Sequence, residues 1–368
     1  MKSYTSHLYL LVFYVTTSCT EDYQLPNSGI QTTIVITGLI TNEQGPYYVR
    51  VVENVSDISK GITIQRPIND ARITITDSNG SVDELQSFYD LALDSVLIVW
   101  VRPDWWWGDP PPDEYEYFYN IPDANGGYFK FVVGKWSYYD IREGVYYTTS
   151  IKGVPGRTYA LKVEYEGQEY TATDYMCYGT VIDSISVEPI GKYINDKPDG
   201  TDGFLVPCLY FAEPKDEVNF YMFKEGGIYV SYNTKQEWEF DAFVPAKNVV
   251  LNNWGGEDWY ISVVSDRFMP PYVSKYKMSD GDHARKWFQG TDMGFYYGRW
   301  DSGGAIDMYC ITEPVYRYYF ALSRQYYEDG GAFSSSPASP PTNISGGAQG
   351  CFSAASVSQY FLDLRNEK

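Results

Sequence analysis

Histidine is almost missing from this chain: two occur in 368 residues, His7 and His283. A Ser-His-Asp or Cys-His relay needs a positioned imidazole to move the proton, and no Gly-x-Ser-x-Gly turn is present to raise a nucleophile. The same shortage argues against a His-rich zinc site. His283 itself lies in the polar run Asp282-His283-Ala284-Arg285, an ordinary surface setting. Basic residues are scarce too: 28 Lys and Arg stand against 48 Asp and Glu, a formal charge of −20. Nucleic-acid binding works by neutralising phosphates, and a polybasic membrane patch needs the same cations, so the composition argues against both. Keeping an aromatic surface solvated is the simplest use of the acids. No internal stretch is apolar over the roughly 18 residues a membrane-spanning helix requires. Cysteine is sparse, and no two stand as Cys-x-x-Cys, which excludes a zinc knuckle or a redox motif. Cys177, Cys208, Cys310 and Cys351 can pair as disulfides or remain buried thiols, and their spacing selects no pairing.

What is abundant is aromatic and turn-forming: 37 Tyr, 18 Phe and 10 Trp, with 32 Gly and 20 Pro. Aromatic side chains suit a pleated, half-buried surface, while Gly and Pro punctuate turns. A mainly β protein with long loops is the expectation, and the length predicts more than one domain. The N-terminus adds an address. Met1-Lys2 is followed by an apolar run from Leu8 to Val15, then Thr16, Thr17, Ser18 and Cys19. A positive start, a short apolar core and small residues before a cut predict an export signal over residues 1–18. A Cys directly after the cut predicts a lipoprotein, with Cys19 the lipidation residue carrying palmitate-type acyl chains. Thr16 and Ser18 relax the usual pattern of Leu three residues before the Cys and Gly or Ala just before it. Ordinary signal cleavage nearby is the alternative. A tether over residues 19–29 follows, and the acyl chains are then the only membrane attachment expected.

Short alternating segments begin after the tether. Tyr159, Leu161, Val163 and Tyr165 alternate with Ala160, Lys162, Glu164 and Glu166, the period-two pattern of a half-buried strand, and Gly167-Gln168 closes a hairpin. Similar alternation around Ile34, Val49 and Ile73 predicts an immunoglobulin-like or transthyretin-like β-sandwich over residues 30–188. An aromatic insertion near residues 85–143 interrupts it. Pro110-Pro111-Pro112 cannot sit in a central strand, so Asp104 to Asp113 is read as a projecting loop, with a hairpin of Tyr115 to Tyr119 and Tyr128 to Val133 behind it. A polar linker over residues 189–203 leads to a second β-rich domain at 204–368. One helix is expected near residues 313–328: Val315, Tyr318, Tyr319, Leu322 and Tyr326 recur at helical spacing, Thr312 is the N-cap candidate and Gly330-Gly331 the stop.

The candidate binding residues are Trp105, Trp106, Trp107, Tyr115 and Tyr117. Exposed indole rings stack on sugar faces or anchor protein interfaces, with nearby acids to orient hydroxyls or amines. The competing reading folds them back over the sandwich edge. Asp196, Asp199 and Asp202, spaced by glycines, are weak metal candidates for calcium, since Asp-Gly clusters are also ordinary turn chemistry. A carboxylate pair for glycan hydrolysis needs two acids held across one cleft, which sequence does not reveal.

Several stretches resemble a Bacteroidota outer-membrane lipoprotein family, a domain of unknown function whose members are commonly encoded beside SusC-like TonB-dependent receptors. The resemblance runs from Ile34-Val35-Ile36-Thr37-Gly38 and Gly45-Pro46-Tyr47 through Pro67-Ile68-Asn69-Asp70-Ala71 and Gly153-Val154-Pro155-Gly156. It continues at Glu213-Pro214, Asn219-Phe220-Tyr221 and Ser265-Asp266. It is most specific from Tyr316-Arg317-Tyr318-Tyr319 through Pro341-Thr342-Asn343-Ile344-Ser345-Gly346-Gly347-Ala348 to Phe352-Ser353-Ala354. It implies a surface-exposed protein on the outer membrane, associated with nutrient uptake, and supplies no catalytic residue. The expected function is therefore a non-catalytic accessory lipoprotein without cofactors, whose partners are a TonB-dependent receptor barrel and a glycan or peptide ligand. The alternatives are a structural or adhesion-type surface lipoprotein and a carboxylate-dependent glycan hydrolase.

Overall fold

A computed structural model of the chain describes residues 30–57, 62–91, 93–98, 114–122, 128–133, 143–189, 205–214, 218–225, 228–232, 238–243, 246–250, 262–277, 303–327 and 339–363. The described residues are mainly β. In chain order the strands begin β1 (Ile30–Thr41), β2 (Tyr48–Asp57), β3 (Ile62–Pro67), β4 (Arg72–Asp77), β5 (Val82–Glu84), β6 (Gln86–Ser87) and β7 (Leu93–Ile98). They continue β8 (Glu114–Pro122), β9 (Tyr128–Val133), β10 (Val145–Tyr147), β11 (Thr158–Tyr165), β12 (Gln168–Tyr175), β13 (Ile182–Pro189) and β14 (Leu205–Ala212). The last are β15 (Phe220–Glu225), β16 (Ile228–Tyr232), β17 (Trp238–Phe243), β18 (Ser262–Ser265), β19 (Tyr272–Lys277), β20 (Gly303–Ile311) and β21 (Gln349–Asp363). One α-helix, α1 (Glu313–Tyr327), stands among them.

The largest sheet has nine strands in the order β18-β15-β20-β21-β1-β2-β10-β6, with β3 also paired to β2. Strands from both halves of the sequence share it, and β21 joins them. Its first half runs parallel to β1, from Val35 opposite Gln349 to Thr41 opposite Ala355. Its second half runs antiparallel to β20 on the other edge, from Cys310 opposite Ser356 to Gly303 opposite Asp363. A single long strand thus splices two staggered stretches of sheet.

Smaller sheets cover one face of this long sheet. The four-stranded sheet β12-β11-β4-β5 packs on its β1 and β2 side. Ile73, Ile75, Tyr159, Leu161 and Val163 meet Ile36, Ile40, Val49, Val51 and Phe352 there. The three-stranded sheet β13-β14-β19 packs on its β15 and β20 side, where Leu209 and Phe211 meet Tyr221, Phe223, Ile306 and Met308. The opposite face is closed by α1 and a 3-10 turn at Ala246–Val250, around Leu39, Tyr48, Phe88, Tyr309 and Val315. This is a sandwich-like arrangement, driven by burial of apolar area at about 25 cal/mol per Å².

The alternation read from the sequence is present where one face meets water. In β11, Tyr159, Leu161 and Val163 are buried while Ala160 is exposed. The Glu166-Gly167 turn closes the hairpin with both residues at positive φ, as a two-residue turn matched to strand twist requires. β2 differs: Tyr48 to Val52 are all buried, and Tyr48, on the face that alternation assigned to solvent, packs with Phe88 and the 3-10 turn. Thr312 does stand immediately before the helix, and its carbonyl accepts from Tyr316 N–H at 2.9 Å. Its hydroxyl, however, donates to Asp174 at 2.6 Å instead of accepting from the first helical turn. The insertion contributes a separate sheet, β7-β8-β9, whose β8–β9 pair is the expected hairpin. Gly330-Gly331, the residue 189–203 linker apart from Pro189, and residues 1–29 lie outside the described residues.

Candidate functional site

The splice leaves each half of β21 with one edge that no strand covers among the described residues, and side chains bond to the backbone there. In a strand, alternate backbone groups point to opposite edges. On the edge away from β1, Asn343 acts as a strand partner: its Oδ1 accepts from Phe352 N–H at 3.0 Å and its Nδ2 donates to Phe352 C=O at 2.6 Å. On the same edge Thr342 Oγ1 donates to Gly350 C=O at 2.8 Å, and Asp174 accepts from Ala354 N–H at 2.7 Å. Beyond the end of β1, Asn42 does the same on the other edge, accepting from Val357 N–H at 2.7 Å and donating to Val357 C=O at 3.4 Å. Gly350 is held at φ +103, and a Cβ there would lie 2.0 Å from Ile36 O, so only glycine permits the close approach of β1.

Further along the long sheet, loops from three strand pairs meet at one end. Glu213, buried just after β14, accepts from Asn219 Nδ2 at 3.1 Å and from Tyr221 O–H at 2.7 Å. Asp266 accepts from Asn219 N–H at 2.7 Å, and its own N–H donates to Asn219 C=O at 3.0 Å. Ser265 Oγ accepts from Arg267 N–H, starting a 3-10 turn at Asp266–Phe268. The product is a braced projection. Phe268 is 90% exposed, with Arg267 lying 5.4 Å from its ring centre, and Val218 beside the same brace is 74% exposed. Val181 and Tyr272 are also exposed apolar residues on the loops and strand starts of this end.

Apart from Asn42 and Asp174, these braces are built from stretches that carry the resemblance: Thr342-Asn343, Phe352-Ser353-Ala354, Glu213-Pro214, Asn219-Phe220-Tyr221 and Ser265-Asp266. A family model described as a domain of unknown function, DUF4249, matches residues 20–360. The chain belongs to that family. A search of curated proteins returned no match. In this DUF4249 protein Thr342, Asn343, Glu213, Asn219, Tyr221, Ser265 and Asp266 hold sheets and loops together through bonds to other protein groups.

The buried acids follow the same rule. Asp83 accepts from the N–H groups of Thr149, Ser150 and Ile151 and from the Thr149 hydroxyl, pinning the segment after β10. The half-buried Glu43 also accepts from Ala246 N–H at 2.8 Å and Lys247 N–H at 3.0 Å, fastening the 3-10 turn to the loop after β1. Burial pushes the Asp174 carboxyl up to about 6, with the bonds from Thr312 and Ala354 pulling the other way. Burial likewise pushes Asp307 up to about 7, opposed by the Gln359 amide at 2.8 Å and assisted by the charge of Glu43. Burial and the bond to Glu213 raise the Tyr221 hydroxyl. Such acids are struts whose lone pairs are occupied by protein donors, whereas a hydrolytic pair must face a common cleft. Among the described residues no group of three or more His, Cys, Asp or Glu could hold a metal ion.

Of the residues singled out from sequence, Tyr115 and Tyr117 lie on β8, opposite Leu97 and Ser95 of β7. Trp105, Trp106, Trp107, Asp196, Asp199, Asp202, His283 and Cys19 lie outside the described residues. The four internal cysteines carry thiols, with Cys208, Cys310 and Cys351 buried. Among the described residues no helix is long and apolar enough to cross a membrane. Sequence reasoning missed Phe268. Its signal was the run Ser265-Asp266-Arg267-Phe268-Met269-Pro270-Pro271, a turn-starting serine and aspartate with an aromatic residue held just ahead of two prolines.

Proposed function

We propose that this DUF4249 protein is an exported lipoprotein, acylated at Cys19 and held at the outer membrane, where it binds a ligand or partner as an accessory to a TonB-dependent transporter. The observation that carries the proposal is the N-terminal order of Lys2, the Leu8 to Val15 apolar run, three small residues and Cys19. The start of the family match at residue 20, directly behind that cysteine, supports it. So does the resemblance to lipoproteins encoded beside SusC-like receptors. Acyl chains on a tether leave the sheets clear of the bilayer and their loops turned outward. Two features fit a binding role: the aromatic sequence of the insertion, with Trp105 to Trp107, and the braced Phe268 end. Phe and Arg are among the residue types enriched at protein interfaces. Occupation of the described buried acids by protein donors favours binding over catalysis.

The test is a pull-down of tagged full-length protein from native membranes in mild detergent, followed by mass spectrometry. A receptor barrel recovered in stoichiometric amount is the expected result. Recovery of the chain with no stoichiometric partner would remove the accessory role.

A further inference from the structure

Cys177 and Cys310 are distant in sequence, yet β21 brings them to one place. Ser356 is the cross-strand partner of Cys310, and its hydroxyl donates to the carbonyl of Cys177. Two residues further on, Gly179 rests on the same strand pair. A Cβ built on it would lie 2.7 Å from Ser356 Cβ and 3.7 Å from Cys310 Cβ. Both cysteine side chains belong to the apolar cluster between the three-stranded sheet and the long sheet. The other two thiols are placed elsewhere. Cys351 packs on the opposite face of the long sheet, in the cluster that includes Val315 of α1. Cys208 precedes Leu209 on β14; Leu209 is in the shared cluster, so Cys208 points to the other face of its sheet.

We propose that Cys177 and Cys310 are a disulfide-forming pair, closing a bridge between the exit of β12 and the end of β20. A disulfide needs Cα atoms about 4.4–6.8 Å apart; as thiols, Cys310 Sγ lies 4.0 Å from Asn219 Oδ1 and Cys177 Sγ 3.9 Å from Tyr175 O, so the bridge requires both side chains to turn toward each other. The chemistry has an order set by exposure. Cys177 is partly exposed and Cys310 is buried, so the Cys177 thiolate attacks first, on a disulfide oxidant such as glutathione disulfide or a thiol-disulfide oxidoreductase. Its sulfur bonds one sulfur of the oxidant, and the other leaves as a thiolate. Cys310 then gives its proton to solvent, attacks the Cys177 sulfur and expels the second oxidant thiol. Two protein thiols become one disulfide while one oxidant disulfide becomes two thiols. The bridge would staple the last strand of the four-stranded sheet to the C-terminal part of the long sheet, beside the link from Asp174 to Thr312. Its occurrence in the cell rests on the export reading, since cytosolic thiols stay reduced. The bond itself can be tested apart from that reading.

Full-length protein purified under reducing conditions is incubated with glutathione disulfide, then denatured in excess polyethylene-glycol maleimide so that remaining thiols are counted on a gel. Non-reduced peptide mapping identifies the linkage. The oxidised wild type is expected to carry two fewer adducts than the reduced sample, with the Cys177 and Cys310 peptides joined. Cys208→Ala and Cys351→Ala should leave that loss intact, and Cys177→Ala and Cys310→Ala should abolish it. An unchanged adduct count, loss of a single thiol to mixed glutathione disulfide, or a linkage joining other cysteines would each overturn the pairing. The wild-type map is decisive even where a variant fails to fold.

Discussion

Replacing Asn343 with Ala removes the side chain that stands in for a strand beside β21. Phe352 is fully buried, and both its N–H and its C=O are satisfied by the Asn343 amide, at 3.0 and 2.6 Å. Alanine supplies neither partner, and β20 begins its pairing only at Ser356. Stranding a buried backbone group costs about 1–3 kcal/mol, so losing both partners costs about 2–6 kcal/mol. That is a large share of the roughly 5–15 kcal/mol by which folded proteins are stable. Asn42→Ala is the internal comparison. It removes the same two bonds from Val357, but at a solvent-exposed position where water replaces them, and its expected cost is about 1 kcal/mol. Urea unfolding followed by tryptophan fluorescence measures both. A loss for Asn343→Ala no larger than that for Asn42→Ala would refute the idea that side chains complete the uncovered edges of β21.

Gly350→Ala should prevent accumulation of soluble protein, since a Cβ there would sit 2.0 Å from Ile36 O at φ +103; normal soluble yield would contradict this. Asp307 titrates in a window set by burial, which raises its carboxyl from 3.8 to about 7 in the folded chain. The folded state therefore holds the proton more tightly than the unfolded one. This contribution to stability is fully present below about pH 4 and is lost as the pH rises through about 7. Asp307→Asn should flatten that slope, so the urea midpoint difference between variant and wild type should change between about pH 5 and about pH 8 in favour of the variant; an unchanged difference would show that burial does not perturb the acid. Phe268→Ala should leave stability within about 0.5 kcal/mol, because the ring is 90% exposed, while lowering partner capture from membranes. Unaltered capture would dismiss Phe268 as a contact.

The β character was legible because alternation reports burial on one face. Tyr159, Leu161 and Val163 against Ala160 and Lys162 could be read directly, while the turn read at Gly167-Gln168 lies one residue earlier, at Glu166-Gly167. The helix was legible from the spacing of Val315, Tyr318 and Tyr319, which pack with Phe220 and Val263. Contacts made across the chain were not. Nothing in Tyr48 announces that Phe88 and a distant 3-10 turn pack on it, and nothing local to Asn42 or Asn343 says that each will serve as a strand partner. The stretch Thr342-Asn343 through Ala354 drew attention as a resemblance, and its physical meaning emerges only when β21 is placed between β1 and β20. The same limit applied to the site: Glu213, Asn219 and Asp266 were noticed separately, while the projection they brace, Phe268, was not. The hydroxyl of Thr312 shows how a correct local position takes a long-range partner, since the buried Asp174 of β12 accepts its proton.

The most direct measurement concerns the attachment on which the proposed role depends. Protein isolated from its native membranes, digested and analysed by mass spectrometry, should yield an N-terminal peptide that begins at Cys19 with acyl chains on its sulfur, and the Cys19→Ala variant should lose the modification and its membrane fractionation. Unmodified Cys19 in a soluble chain that still begins at Met1 would contradict the account.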